Sequence, residues 1–287
     1  MDYKEIIENK SSVREYKEKP VDEKIMIQLG DFANHCPRLI DDIALDIRLM
    51  DKDDVYHQLN GFAGYHGILI EAPHYVIVLS EQKEHYIENA GYVGESISMK
   101  AFEMGIDSCW ISFEDSKTVI EKLNLVTDKT VAAILSFGYG KKKTTKFLGA
   151  LKTGDNYTKA DIRKKDEYSK ILPLEQMVYI DKWGEGADVS TLLERALYDP
   201  MDCARKAPST LNRQPWRFII DKGTIILTVK DDVESSDYEE SIDAGISMLY
   251  FATVMEQTLC KVKWTLGPVE NIYGIPEDYK IVASCQA

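Results

Sequence analysis

The sequence predicts a mixed helix-and-strand protein in two tandem halves, and three observations carry that reading. First, stretches with apolar residues at helical spacing alternate with short β-branched and aromatic runs. Second, 216–221 and 224–230 read as strands on either side of a tight turn at Lys222-Gly223. Third, the chain repeats itself. Asn89-Ala90-Gly91 is followed by Trp110, 21 positions after Asn89, and Asp243-Ala244-Gly245 by Trp264 at the same distance from Asp243, with the copies offset by 154. Each interval reads as a long helix and then a short strand, which makes tandem duplication the better account. The halves are 1–150 and 151–287, and Cys36-Pro37 holds in the first the place of Ala207-Pro208 in the second.

Taken in order, residues 1–9 form a short amphipathic helix and Lys10-Ser11-Ser12-Val13-Arg14-Glu15-Tyr16 an extended arm. Asp22 caps a helix running to about residue 34. The stretch from Ile40 to Met50 has mixed spacing and no clear assignment, and Gly61, Gly64 and Gly67 mark a loop. A buried strand at 75–79 precedes a long helix over 85–104. Within it, Gly91 and Gly94 permit another backbone to pack closely, at a propensity cost of about 1 kcal/mol each. Then follow a strand at 107–111, a helix at 116–123 and a strand at 130–137. After a basic linker come a helix over 191–201, the paired strands, a helix over 239–259 and a strand over 261–266.

Composition narrows the function. At 287 residues, with 44% hydrophobic and 10% aromatic residues, the chain is a folded globular protein. A formal charge of −13 argues against nucleic acid as a partner. The segment 140–170 runs the other way, with ten basic and four acidic residues, as a solvated linker does. Five scattered cysteines without a Cys-x-x-Cys pair fit reduced thiols, Cys109 and Cys260 lie in apolar contexts, and no apolar run is long enough to span a membrane. The expectation is a soluble, cytoplasmic protein with no membrane partner. The five histidines make no metal-ligand pattern, and no nucleophile elbow, phosphate-cradling glycine loop or dinucleotide fingerprint is present.

One stretch stands out, Ala207-Pro208-Ser209-Thr210-Leu211-Asn212-Arg213-Gln214-Pro215-Trp216-Arg217-Phe218. Two prolines stiffen it, and short polar side chains stand between them. Such a loop suits hydrogen bonding to a polar ligand, because it holds no His, Cys or carboxylate for acid–base work. Taken alone it is also an ordinary capped turn whose Trp anchors the next strand.

The order Ala-Pro-Ser-x-x-Asn-x-Gln-Pro-Trp-x-Phe resembles the flavin-contacting loop of the nitroreductase family. These are FMN-dependent oxidoreductases of α+β fold, with central, mostly antiparallel sheets flanked by helices. The family's members are usually homodimers in which one subunit supplies a basic N-terminal arm and the other the loop. The chain resembles such a dimer fused into one polypeptide with one of its two sites lost, and is most similar to the internally duplicated, TM-nitroreductase-like group. The resemblance implies a monomeric pseudo-dimer with one FMN site. It places Lys10 and Ser12, with Ser11 between them, against the FMN phosphate and ribityl chain. Arg14 falls beside the flavin N1–C2=O edge, where a cation tunes the ring. It places Pro208, Ser209, Thr210 and Asn212 against the isoalloxazine and ribityl, with Gln214 and Trp216 as scaffold. Ile111 and Ser112 in Ser108-Cys109-Trp110-Ile111-Ser112-Phe113 would bring backbone to the N5/O4 edge, although that segment also reads as a plain core strand. Phe137-Gly138-Tyr139-Gly140-Lys141-Lys142-Lys143 is similar to the family's phosphate clamp. Lys141 and Lys143 enter the site on that ground, and the sequence does not choose among the three lysines.

No side chain is assigned as a catalytic acid, base or nucleophile, since in a flavoenzyme the cofactor carries the hydride chemistry. The implied activity is ping-pong transfer from NAD(P)H, a transient donor, to a small nitroaromatic or quinone-like acceptor. The alternative is an FMN-binding or sensing protein without turnover.

Overall fold

The computed structural model describes residues 2–141 and 170–287, apart from Glu234 and Leu259. The protein has an α+β architecture. In chain order the first elements are α1 (Tyr3–Asn9), α2 (Glu23–His35), β1 (Leu45–Asp51), α3 (Lys52–Leu59), β2 (His74–Ser80) and α4 (Tyr86–Glu103). Next come β3 (Asp107–Ile111), α5 (Ser116–Lys122), β4 (Thr130–Gly138) and β5 (Val178–Ile180). The last are α6 (Val189–Glu194), α7 (Tyr198–Ala204), β6 (Trp216–Asp221), β7 (Thr224–Lys230), α8 (Asp237–Gln257), β8 (Thr265–Leu266) and β9 (Tyr279–Gln286).

Continuous apolar runs become central strands. Every residue of β2 is buried, and β2 sits inside a sheet of order β1-β2-β4-β3 whose pairings are all antiparallel. The C-terminal sheet has the order β5-β6-β7-β9-β8, antiparallel except where β5 joins β6. Without β5, the C-terminal order repeats the N-terminal one, strand for strand.

Between the sheets lie α4 and α8, the two long helices. Ser236 caps α8 reciprocally with Glu239, which fixes where it starts. The helices meet where each has a glycine. A Cβ on Gly91 would lie 2.4 Å from the Ile242 carbonyl oxygen, and one on Gly245 would lie 2.1 Å from that of Glu88. Only hydrogen fits at either place. The contact is reciprocal, because Ile242 and Gly245 follow Glu88 and Gly91 by the repeat's own offset. One apolar cluster joins α4, α8 and both sheets, running from Ile6 through Val78, Val93, Phe137, Phe218 and Leu249 to Cys285, while Tyr75, Ile77 and Val119 pack in a second cluster and Tyr179, Ile219 and Ile226 in a third.

Several expectations need correction. Gly94 makes room for a side chain and not for a backbone, since a Cβ there would meet Trp110 Cη2 at 2.7 Å. The helix expected over 191–201 is two helices. Pro200 has no N–H and its ring would strike the carbonyl of Ala196, so α6 ends there. Ala196 takes φ 57° and Leu197 N donates back to Leu192 O (2.8 Å), a left-handed helix stop. The strand expected over 261–266 shrinks to β8, and the unassigned stretch from Ile40 contains β1. His74 is a core residue: its Nε2 accepts from Val21 N (3.0 Å), and its Nδ1 lies 2.8 Å from Asp51 Oδ1. Among the described residues no helix is long and apolar enough to cross a membrane.

Candidate functional site

The arm after α1 lies across the start of β3 and the end of β4. Val13 N donates to Ser108 O (3.0 Å), Lys17 N to Tyr139 O (2.8 Å) and Lys141 N to Glu15 O (2.9 Å). Ser11, Ser12 and Arg14 are exposed, whereas Tyr16 is buried and shares a hydrogen bond with Ser136 Oγ (3.1 Å). Beneath the arm sits Cys109, whose thiol is pushed up by burial, opposed by the Arg14 and Lys10 charges and a hydrogen bond with Ser12.

Lys10 differs from its neighbours. Its Nζ donates to Glu95 Oε1 (2.7 Å), and the same carboxylate accepts from Tyr250 OH (2.9 Å) and, through Oε2, from Trp110 Nε1 (2.8 Å). Four elements of the structure, the arm, α4, β3 and α8, therefore converge on Glu95. Burial and the neighbouring carboxylate hold the Tyr250 phenol protonated.

The loop after α7 is held from behind. Thr210 N donates to both oxygens of Asp243 on α8 (3.1 and 3.2 Å), and Gln214 N to Ser209 Oγ (2.9 Å). Gln214 is buried and satisfied at both ends: Nε2 donates to Lys170 O (2.9 Å) and Asn212 O (3.0 Å), and Oε1 accepts from Leu172 N (2.8 Å). Leu211, Asn212 and Gln214 have φ of 53°, 58° and 52°, a left-handed conformation that costs a non-glycine residue roughly 1–2 kcal/mol each. Complete burial pushes the Asp243 carboxyl well above its ordinary range, opposed by the Thr210 N–H and the nearby Arg213. The N-terminal sheet has a matching cap, where Asn89 Oδ1 accepts from Leu39 N and Ile40 N (3.0 Å each).

A cavity of about 580 Å³ opens at the far end of β3. Its walls come from the 62–67 loop, the starts of α4 and α8, and Ser112 to Glu114. Gly64 N donates to Ser112 O (2.7 Å), which ties that loop to the end of the strand.

Of the residues the sequence singled out, the structure collects Lys10, Ser11, Ser12, Arg14 and Lys141 on the arm and the strand ends it crosses. Pro208, Ser209, Thr210 and Asn212 share the strained loop, half-buried. Ile111 is buried in the ladder opposite Ile134, while Ser112 is exposed and lines the cavity. Lys143 lies outside the described residues. Sequence reasoning missed Glu95, Tyr250 and Arg213. A glutamate in the middle of a helix otherwise buried on all sides was the available signal for Glu95. Among the described residues no cluster of His, Cys, Asp and Glu could hold a metal ion.

A family model described as "Putative TM nitroreductase" matches residues 2–254, and the chain belongs to this nitroreductase family. The crystal structure of a "putative nitroreductase" from Thermotoga maritima is 18% identical, covers 100% of this chain and 94% of its own, and superposes with a TM-score of 0.58. The two share the nitroreductase-like fold. An FMN-dependent nitroreductase from Clostridium difficile R20291 is 21% identical over 58% of this chain and 96% of its own, at a TM-score of 0.41. A nitroreductase with bound FMN from Bacteroides fragilis NCTC 9343 is 17% identical over 55% of this chain and 98% of its own, also at 0.41. No curated protein matches the chain.

Proposed function

We propose that the chain is an FMN-dependent oxidoreductase that takes reducing equivalents from NADH or NADPH and passes them to a nitroaromatic or quinone-like acceptor, the two using one site in turn. The observation that carries this reading is the arm. Its exposed Arg14 guanidinium, its Ser11 and Ser12 hydroxyls and the neighbouring Lys141 ammonium form a donor set suited to a phosphate-bearing ligand. Bound FMN would supply the hydride chemistry, for which the described side chains have no substitute. Arg14 would hold positive charge against the ring. Ser209, whose Oγ accepts from Gln214 N, keeps its hydroxyl proton to donate, and Pro208, Thr210 and Asn212 stand beside it on the same rigid loop. Ser112 would bring its backbone to the ring from the end of β3. Lys10 fits this set less well, since Glu95 already takes its ammonium.

We further infer that residues 1–150 and 151–287 are fused descendants of a dimer, that they hold one site, and that the protein is a monomer. The repeated strand order, the reciprocal glycine contacts and the paired Asn89 and Asp243 caps support this. The five unpaired thiols suit a reducing cytoplasm.

The withdrawal of Lys10 by Glu95 favours a second reading, FMN binding or sensing without turnover. One experiment separates them: the visible spectrum of protein saturated with FMN, followed by anaerobic NADH and then NADPH. The proposed activity predicts a flavin band near one equivalent per chain that bleaches with at least one donor. A band that persists with both leaves the sensing reading, and no binding at all removes both.

A further inference from the structure

The cavity at the end of β3 is built from rings. Phe62, Tyr65, Tyr86, Phe113 and Tyr238 line it, and its volume of about 580 Å³ suits a small molecule. The wall is set in advance. Phe113 and Tyr238 meet edge to face with centroids 5.5 Å apart, and the Tyr238 hydroxyl donates to Ala132 O (3.0 Å). The hydroxyls of the floor are spent on each other: Ser116 Oγ lies 2.7 Å from Thr130 Oγ1 and accepts from Val131 N at 2.7 Å. What remains to meet a ligand is aromatic surface, charge and the exposed Ser112 hydroxyl.

That charge is one-sided. Glu114 and Glu239 line the cavity, His66 is its one titratable base, and no Lys or Arg is among the described lining residues. Glu239 is committed elsewhere, with Oε2 accepting from Ser236 N (3.0 Å) and lying 3.7 Å from Arg213 Nη2. Glu114 is exposed and has no ion-pair partner among the described residues.

We propose that this cavity binds a planar aromatic molecule that is neutral or cationic, and that Glu114 discriminates against anionic ones. Use of that molecule as an electron acceptor rests on the oxidoreductase reading above, whereas its binding does not. A rim carboxylate attracts a nearby cation and repels an anion, and the ring faces other than that of Phe62, over which Lys122 Nζ lies 5.7 Å from the centroid, favour the cation again. Together these separate the two by roughly tenfold at low salt.

The test is calorimetric titration of the full chain with 4-nitrobenzyltrimethylammonium, 4-nitrobenzyl alcohol and 4-nitrobenzoate, with and without saturating FMN. The proposal expects affinity to fall in that order by about tenfold overall and the spread to shrink at high salt. Glu114→Gln should narrow the spread and Glu114→Lys should reverse the order; both sit at an exposed position and leave the core intact. Equal binding of the three probes, no binding, or an order indifferent to Glu114→Lys would overturn it. Binding abolished by FMN would assign the cavity to the flavin itself and overturn it too. If the charge order holds while the flavin band never bleaches, the oxidoreductase reading fails and the cavity's selectivity stands.

Discussion

Lys10 and Glu95 form an ion pair 2.7 Å long from which water is nearly excluded, with 7% and 0% of their side chains exposed. A charge buried this deeply is costly to leave alone. Lys10→Ala should therefore lower stability by about 2–4 kcal/mol, less than a fully bare carboxylate would, because Trp110 and Tyr250 still donate to Glu95. The double variant Lys10→Met with Glu95→Gln should recover most of that loss. Denaturant midpoints of the flavin-free protein measure both; a Lys10→Ala protein as stable as the parent would refute the pair's structural weight.

The glycines of the crossing helices should behave oppositely to a glycine elsewhere. Gly91→Ala and Gly245→Ala each drive a methyl into a backbone oxygen and should cost about 2–3 kcal/mol or prevent folding. Gly30, in the middle of α2, would have only Leu49 Cδ2 near its new Cβ, at 4.0 Å. Gly30→Ala should stabilise by about 0.5–1 kcal/mol through helix propensity alone. Thermal melts of the three variants side by side read out the contrast.

Asp243 carries a carboxyl that burial holds protonated well above the ordinary 3.8. Folding then favours the protonated form. The stability it contributes is complete below about pH 4 and drains away as pH rises towards the folded value. Asp243→Asn keeps an oxygen for the Thr210 N–H, as Asn89 does for Leu39, and has no proton to lose. Its melting temperature should exceed the parent's at about pH 8 and converge with it near pH 4. A difference that does not vary with pH would mean that Asp243 is charged in the fold.

Flavin affinity should divide the basic residues of the arm. Arg14→Ala removes a charge-assisted contact and should weaken FMN binding by roughly tenfold to a hundredfold. Lys141→Ala should act less strongly, as loss of an exposed point charge, and its effect should fade with salt. Fluorescence titration with FMN gives both values. Arg14→Ala binding as tightly as the parent would move the site away from the arm.

The local signals in the sequence translated well. Prolines and a turn pair fixed the loop and the strands β6 and β7 to the residue, and the apolar period located α4 and α8. Apart from the break of 191–201 near Pro200, what failed was decided at a distance. Glu95 lies 85 positions from Lys10, and Tyr250 lies 155 from Glu95, so no window of sequence joins them. Gly91 and Gly94 look alike in the chain, yet three residues turn a helix by about 300°, so they face directions about 60° apart. One meets a backbone and the other an indole. β5 has three residues, and it exists because the edge of β6 is there to receive it.

The C-terminal sheet lends the candidate site one loop, yet Phe218, Ile220 and Leu227 on it share an apolar cluster with Ile6 and Ile7 of α1 and with Val93 and Ile97 of α4. Expendability therefore cannot be judged by distance from the ligand. A chain that used only the loop would still have to keep α8, because α4 packs along it. Substitutions along that helix contact, however far from any chemistry, therefore act on the fold that holds the arm.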